Sequence, residues 1–150
     1  MDTICGHQAR AYAVLDGRVE PMFYAKELRA VVVKDKARVN VLGRRGALYK
    51  TAGWSGSGKM VMYYSTSLFR RMMADYIKEG RDVSFDIQVI NEDTAGGSGR
   101  QTVVLRGVNL NRVVMASFDA RAQVLEEEMD FTFDDVDVLE GFKPSPLGTV

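Results

Sequence analysis

The sequence predicts a mainly β domain, an antiparallel sandwich or barrel carrying a single α-helix. Three observations lead there. Apolar and polar residues alternate strictly in several runs, most clearly Val83, Phe85, Ile87 and Val89 against Ser84, Asp86 and Gln88. Asp16-Gly17 separates two extended runs and supplies the positive φ angles of a tight hairpin turn. Only one stretch, beginning at Leu68, spaces its apolar residues for a helix. At 150 residues the chain reads as one domain. Its size allows about two-thirds of the unfolded surface to be buried without staples.

Residues 1–8 read as an N-terminal arm, 9–140 as the folded domain and 141–150 as a C-terminal arm holding Pro144 and Pro146. The domain opens with a hairpin, Ala9 to Leu15 and Arg18 to Tyr24. A second extended region, Leu28 to Leu42, carries Val31-Val32-Val33 and then Val39 and Val41, interrupted by Lys34-Asp35-Lys36. Residues 43–59, with five glycines, Arg44, Arg45, Lys50 and the lone Trp54, read as a long irregular loop. Loops beyond about 12–15 residues in a compact domain are usually functional or disordered. Trp54 there suits either docking to a partner or folding back on its own core.

Met60 to Tyr64 follows as a short strand. The helix is predicted over residues 66–79, with Ser65-Thr66-Ser67 as capping hydroxyls and Gly80 as the stop. Leu68, Phe69, Met72, Met73, Tyr76 and Ile77 form its core stripe. The alternating strand at Val83 to Val89 comes next, then a glycine-rich turn from Asp93 to Gly99. A long strand, Gln101 to Ala116, slips its apolar phase near Asn111 to Val113, the mark of a bulge or of a crossing between sheets. The last strand runs from Gln123 to Val138. Gln123, Leu125, Glu127, Met129, Phe131 and Phe133 lie on one face, and Val124, Glu126, Glu128, Asp130 and Thr132 on the other. Three consecutive glutamates in a strand repel one another and need a reason. A cationic surface on a neighbouring molecule is one, and a solubilising edge is the other.

The formal net charge is zero, but thirteen cations against five acids leave Met1 to Arg71 at +8, and seven against fifteen leave the remainder at −8. Such a split fits copies that attract one another head to tail, or halves that neutralise each other inside one fold. A neutral total argues against a nucleic-acid binder. No leader-like start and no membrane-length apolar run is read from the sequence. Cys5 is the only cysteine, which suits a reducing cytosol, and His7 is the only histidine. They could share a metal only if acids from elsewhere completed the set.

Gly53-Trp54-Ser55-Gly56-Ser57-Gly58-Lys59 has the spacing of a phosphate-binding P-loop, but Met60 stands where a magnesium-holding Ser or Thr belongs. The following residues also read as a strand rather than a phosphate-capping helix. No histidine lies among the strands to serve as a general base, and Cys5 lacks a positioned partner. The residues therefore predict a protein that binds or assembles, without catalytic residues, metal or cofactor.

Several segments together resemble the tail tube proteins of contractile-tailed phages, in particular the PBSX-like tail tube family. They are Val39-Asn40-Val41-Leu42-Gly43-Arg44-Arg45, Lys50-Thr51-Ala52-Gly53, Gly56-Ser57-Gly58, Ser67-Leu68-Phe69 and Met73 through Gly80. Leu125-Glu126-Glu127-Glu128 and Phe131 through Val138 complete the colinear set, which spans about Arg10 to Val138. The resemblance implies two packed antiparallel sheets flanked by one helix. It implies a non-enzymatic subunit of hexameric rings that stack into the hollow inner tube of a tail, through which DNA passes as cargo. Implied partners are further copies of itself, the tail sheath protein, and the baseplate, tape-measure and tail-terminator proteins, with no membrane. The expected location is the virion tail, assembled in the host bacterial cytoplasm. A tube of a related contractile injection or type VI-like secretion system, or of a tail-like bacteriocin, is the alternative. Candidate inter-subunit or inter-ring contacts are Arg44, Arg45, Lys50 and Trp54. Glu126, Glu127, Glu128 and Asp130 are candidates for their acidic partners or for the channel lining.

Overall fold

A computed structural model of the chain describes residues 9–22, 24–93 and 99–142. The strands are β1 (Ala9–Leu15), β2 (Arg18–Pro21), β3 (Ala25–Val39), β4 (Leu48–Tyr63), β5 (Phe85–Asp93), β6 (Gly99–Leu110), β7 (Glu126–Phe133) and β8 (Asp135–Glu140), with α1 (Leu68–Glu79) between β4 and β5. All pairings are antiparallel, in the order β2-β1-β5-β6-β7-β4-β3, and β8 also lies along β6. The two expected layers are thus parts of one continuous sheet joined through β6. The first hairpin turns at Asp16 and Gly17, both at positive φ (49° and 77°), as the Asp-Gly pair requires.

β6 changes partners along its length. Thr102 to Arg106 pair with β8, and Asn109 and Leu110 with β7. The change falls at Gly107, whose φ of 67° is open to glycine but strained for other residues. A Cβ there would also meet Asp134 Oδ2 at 2.6 Å. Asp134 is the break between β7 and β8, and its amide donates to the Arg106 carbonyl (2.9 Å). The long last strand is therefore two, β7 starting at Glu126 and β8 running on to Glu140. The phase slip expected near Asn111 sits a few residues earlier, at this glycine.

One core receives side chains from both parts of the sheet: Ala13, Phe85, Ile87, Leu105 and Val108 from β1, β5 and β6, and Met60, Met62, Met129, Phe131 and Phe133 from β4 and β7. Helix α1 closes it with Phe69, 1% exposed, whose ring lies 5.8 Å from Phe85 and 6.5 Å from Tyr24. Thr66 Oγ1 accepts from the Leu68 amide (3.3 Å), and Gly80 ends the helix in the left-handed region, donating to the Tyr76 carbonyl. The expected core stripe holds only at the N-terminal end of the helix. Leu68, Phe69 and Met72 pack inward, but Tyr76 and Ile77 are exposed. A groove of about 330 Å³ separates Met72, Met73 and Tyr76 from Val83 and Leu110, so this end of the helix stands off the sheet.

The 43–59 loop is also corrected. Residues 48–63 are one strand, β4, and only the short tip between Val39 and Leu48 lies outside the ladder. Gly56 faces Phe133 and Gly58 faces Phe131 across the β4–β7 pair. A Cβ at Gly58 would sit 2.2 Å from the Phe131 ring, and one at Gly56 would sit 2.4 Å from the Phe133 ring. These glycines are seats for two core aromatic rings, not loop punctuation. Residues 1–8 and 143–150, with Cys5 and His7, lie outside the described residues.

Candidate functional site: a cationic arm and a charge-paired face

β3 and β4 pair from Ala25 to Val39, but the body covers only the near end of the ladder. Every residue of β3 from Ala30 onward is exposed, as are Tyr49 to Ser55 of β4 apart from the half-buried Gly53. The far half is thus a two-stranded arm wet on both faces, a form with little stability of its own. It carries Val31, Val32, Val33, Val39 and Tyr49 in the open, with Leu42 fully exposed at its tip. Residues 30–55 hold six cations and one acid, leaving the arm at +5 and the rest of the neutral chain at −5. Arg44 and Arg45 lie at the tip and Lys50 on the strand that returns from it. Neither they nor Lys34, Lys36 and Arg38 form an ion pair with another described residue.

Trp54 stands nearer the base of the arm. It is 45% exposed, and its ring lies 6.4 Å from Phe133 at 44°. One side of the ring rests on the core, and the rest is open.

The acidic residues of β7 divide by strand alternation. Glu126 pairs with Lys26 (2.7 Å), Glu128 with Lys59 (2.6 Å) and Arg112 (3.5 Å), and Asp130 with Arg112 (3.2 Å). Hydrogen bonding and charge between the partners raise the Lys26 and Lys59 ammonium groups above the usual lysine value and hold Glu128 below the usual carboxylate value. The cations that answer Glu126, Glu128 and Asp130 come from β3, β4 and the segment after β6 of the same chain. A neighbouring molecule is not needed for them. All three acids remain on the solvent side of the sheet, forming a charge-paired face.

Glu127 points the other way. It is 2% exposed, on the inward face with Met129 and Phe131, and cannot line a channel or meet the arm of another copy. Its carboxylate takes the Arg70 guanidinium from α1. Arg70 also donates to the carbonyls of Thr66 and Val114, and stacks over the Tyr64 ring at 4.1 Å. This clamp, which fastens the helix to β7, escaped sequence reasoning. Its one signal was an acid in phase with core residues, and nothing in the spacing pointed to Arg70. Gly53 to Lys59, the P-loop look-alike, is plain strand, and its lysine is the partner of Glu128.

Against known proteins, residues 1–140 match the family described as "Phage tail tube protein". The chain is 41% identical over 139 residues to the phage-like element PBSX protein XkdM of Bacillus subtilis (strain 168), covering 93% of this chain and 92% of that one. It is 40% identical over 142 residues to YqbM of the same strain, an uncharacterized protein, covering 95% and 94%. Among solved structures, a chain of the PVC sheath/tube terminator, an extracellular contractile injection system in its extended state, superposes with a TM-score of 0.70. That match is 15% identical and covers 93% of this chain and 99% of the other, a likeness of fold.

Proposed function

The chain belongs to the phage tail tube protein family, and from that premise we propose that six copies close into a ring and that rings stack into the hollow inner tube of a contractile tail. DNA passes through the tube as cargo. The observation that carries this reading is the exposed arm. A cationic ribbon with open valines, attached to a body of net opposite charge, is built to be covered by another copy. The sheet supports ring closure as well. Its path ends at β2 and β3, and the outer edge of the 15-residue β3 pairs with no other described strand. Such an edge invites pairing until a neighbour covers it. A contact between different surfaces of successive rings does not close on itself, so it generates an open filament.

The sheath protein would enclose this tube, and baseplate, tape-measure and terminator proteins would set its start, length and end. Assembly in the host cytoplasm and residence in the virion tail follow from the same reading. Among the described residues no helix is long and apolar enough to cross a membrane. The test is negative-stain electron microscopy of the purified chain across a concentration series. Hollow tubes or six-fold rings are expected. A monomer at every concentration would overturn spontaneous ring formation.

A further inference from the structure

The arm ends in a formed turn. The Arg44 amide donates to the Val41 carbonyl (3.3 Å), and Gly43 stands at φ 82°, as the third residue of a type II β-turn requires. Leu42 sits at the corner of that turn, fully exposed, and Val41 beside it is 45% exposed. Arg38, Arg44 and Arg45 flank this apolar point, and residues 38–45 contain no acid. The tip is an apolar knob in a cationic collar, shaped by its own turn before it meets another surface.

The groove at the C-terminal end of α1 has the complementary character. Met72, Met73, Tyr76, Val83 and Leu110 give it apolar walls, and Asp82 is the one charged residue in its lining. Asp82 accepts from Asn109 Nδ2 (2.8 Å) and forms no ion pair with another described residue. The groove beside Trp54 suits the tip less, because Lys34 stands in its lining and repels a cationic collar. The tip also lies out of reach of its own α1 groove. Leu110 in that groove opposes Phe131 of β7, and Phe131 opposes Gly58 of β4. From Gly58 to Leu48 the strand runs on for roughly 30 Å, still paired with β3, before the turn begins.

We infer that the arm tip of one copy, residues 41–45, docks in the α1 groove of a second copy. Leu42 enters between the helix and Leu110, and the arginines beside it meet Asp82. Knob and groove are different surfaces of one chain, so a copy that fills a neighbour's groove still offers its own. Such a contact propagates, closing into a ring or running on as a filament. Docking also stabilises a ribbon that has little stability alone. This inference rests on the tube reading for the neighbouring copies, and it names the two surfaces that meet.

Cysteine pairs test it in a full chain carrying C5S, which removes the only native thiol. L42C with M73C puts one thiol on the tip and one in the groove. Oxidation of assembled samples should give a ladder of covalent multimers on non-reducing gels, and a mixture of the two single variants should stop at heterodimers. A ladder from L42C with V136C, and none from L42C with M73C, moves the tip to the Trp54 groove and overturns the docking. Loss of both thiols at monomer size is closure within one chain and also overturns it. L42D provides a test without thiols. It should raise the concentration at which assembly begins by about tenfold or more, the loss of one buried leucine. The melting temperature of the monomer should hold, because Leu42 is fully exposed in its own chain. Assembly of L42D at the native concentration overturns the docking. Electron microscopy of the same samples separates the two readings. Tubes without the L42C–M73C ladder defeat the docking alone, whereas a native chain monomeric throughout defeats the tube reading with it.

Discussion

Replacing Gly58 by alanine tests whether the β4 glycines exist to seat phenylalanine rings. The new methyl would lie 2.2 Å from Phe131 Cζ, 2.6 Å from Cε2 and 2.8 Å from the Arg29 carbonyl oxygen. Phe131 is fully buried and Arg29 O is backbone of the paired strand, so neither can step aside cheaply. Overpacking a closed core costs about 1–3 kcal/mol. Gly58 is not at positive φ, so alanine suits the backbone and returns about 0.4–1 kcal/mol by restricting the unfolded chain. The overpacking term wins, with a net loss of about 1–2 kcal/mol. At about 2–4 °C per kcal/mol for a chain of this length, the melting temperature should fall by roughly 2–8 °C. Urea and thermal unfolding of the monomer, followed by circular dichroism, measure it. G53A is the control, because its Cβ would meet nothing nearer than Asp35 Oδ2 at 4.0 Å, so only the unfolded-chain term remains and stability should hold or rise by up to about 1 kcal/mol. Equal stability of G58A and G53A would refute the reasoning.

Two further outcomes follow from buried groups. R70A should cost about 3–5 kcal/mol by stranding the Glu127 carboxylate in the core, whereas R70M with E127L should fall within about 1–2 kcal/mol of the native chain. Urea midpoints of the single and double variants decide it, and equal losses would deny the clamp. Alkaline pH should also destabilise the fold. Burial, with Glu20 nearby, pushes the Tyr24 phenol from 10.0 up to about 12. Its contribution is present below pH 10 and is lost as pH rises toward 12, because the unfolded chain gives up that proton first. The raised ammonium groups of Lys26 and Lys59 act in the same direction above about pH 10.5. Unfolding midpoints from pH 9 to 12 should fall less steeply for Y24F, and an unchanged slope would remove Tyr24 from the account.

The strands were legible wherever one face is buried and the other wet, as at Phe85 to Val89 and Met129 to Phe133, because alternation records that asymmetry directly. β4 was hidden for the opposite reason. Its outer half is wet on both faces and so has no alternation, and its inner half satisfies the core with glycines because the bulk comes from Phe131 and Phe133 across the ladder. Small residues in one strand answered large ones some seventy-five positions away, and no local window contains both. The helix stripe was overread for a related reason. Spacing shows which residues share a face, but not how far the sheet beneath them extends. Tyr76 and Ile77 continue the face beyond that support.

Charge is where sequence and structure part most usefully. By halves of the chain, the +8/−8 split makes the β7 acids natural partners for the arm of another copy. In the fold, Glu126, Glu128 and Asp130 already hold Lys26, Lys59 and Arg112, while Arg44, Arg45 and Lys50 hold no described partner. Attraction between copies should then depend on the arm and hardly at all on β7. Exposed charges act across roughly 8–10 Å at ordinary ionic strength, so this attraction must also fade with salt. Reversing the tip with R44E and R45E should shorten tubes and flatten their salt dependence while leaving the melting temperature of the monomer nearly unchanged. Neutralising the strand with E126Q and E128Q should leave tube length and its salt dependence as they were. Tube lengths in electron micrographs, taken from low to high salt, compare the two pairs. If the β7 pair shortens the tubes and the arm pair does not, β7 is the interface and the arm serves some other contact.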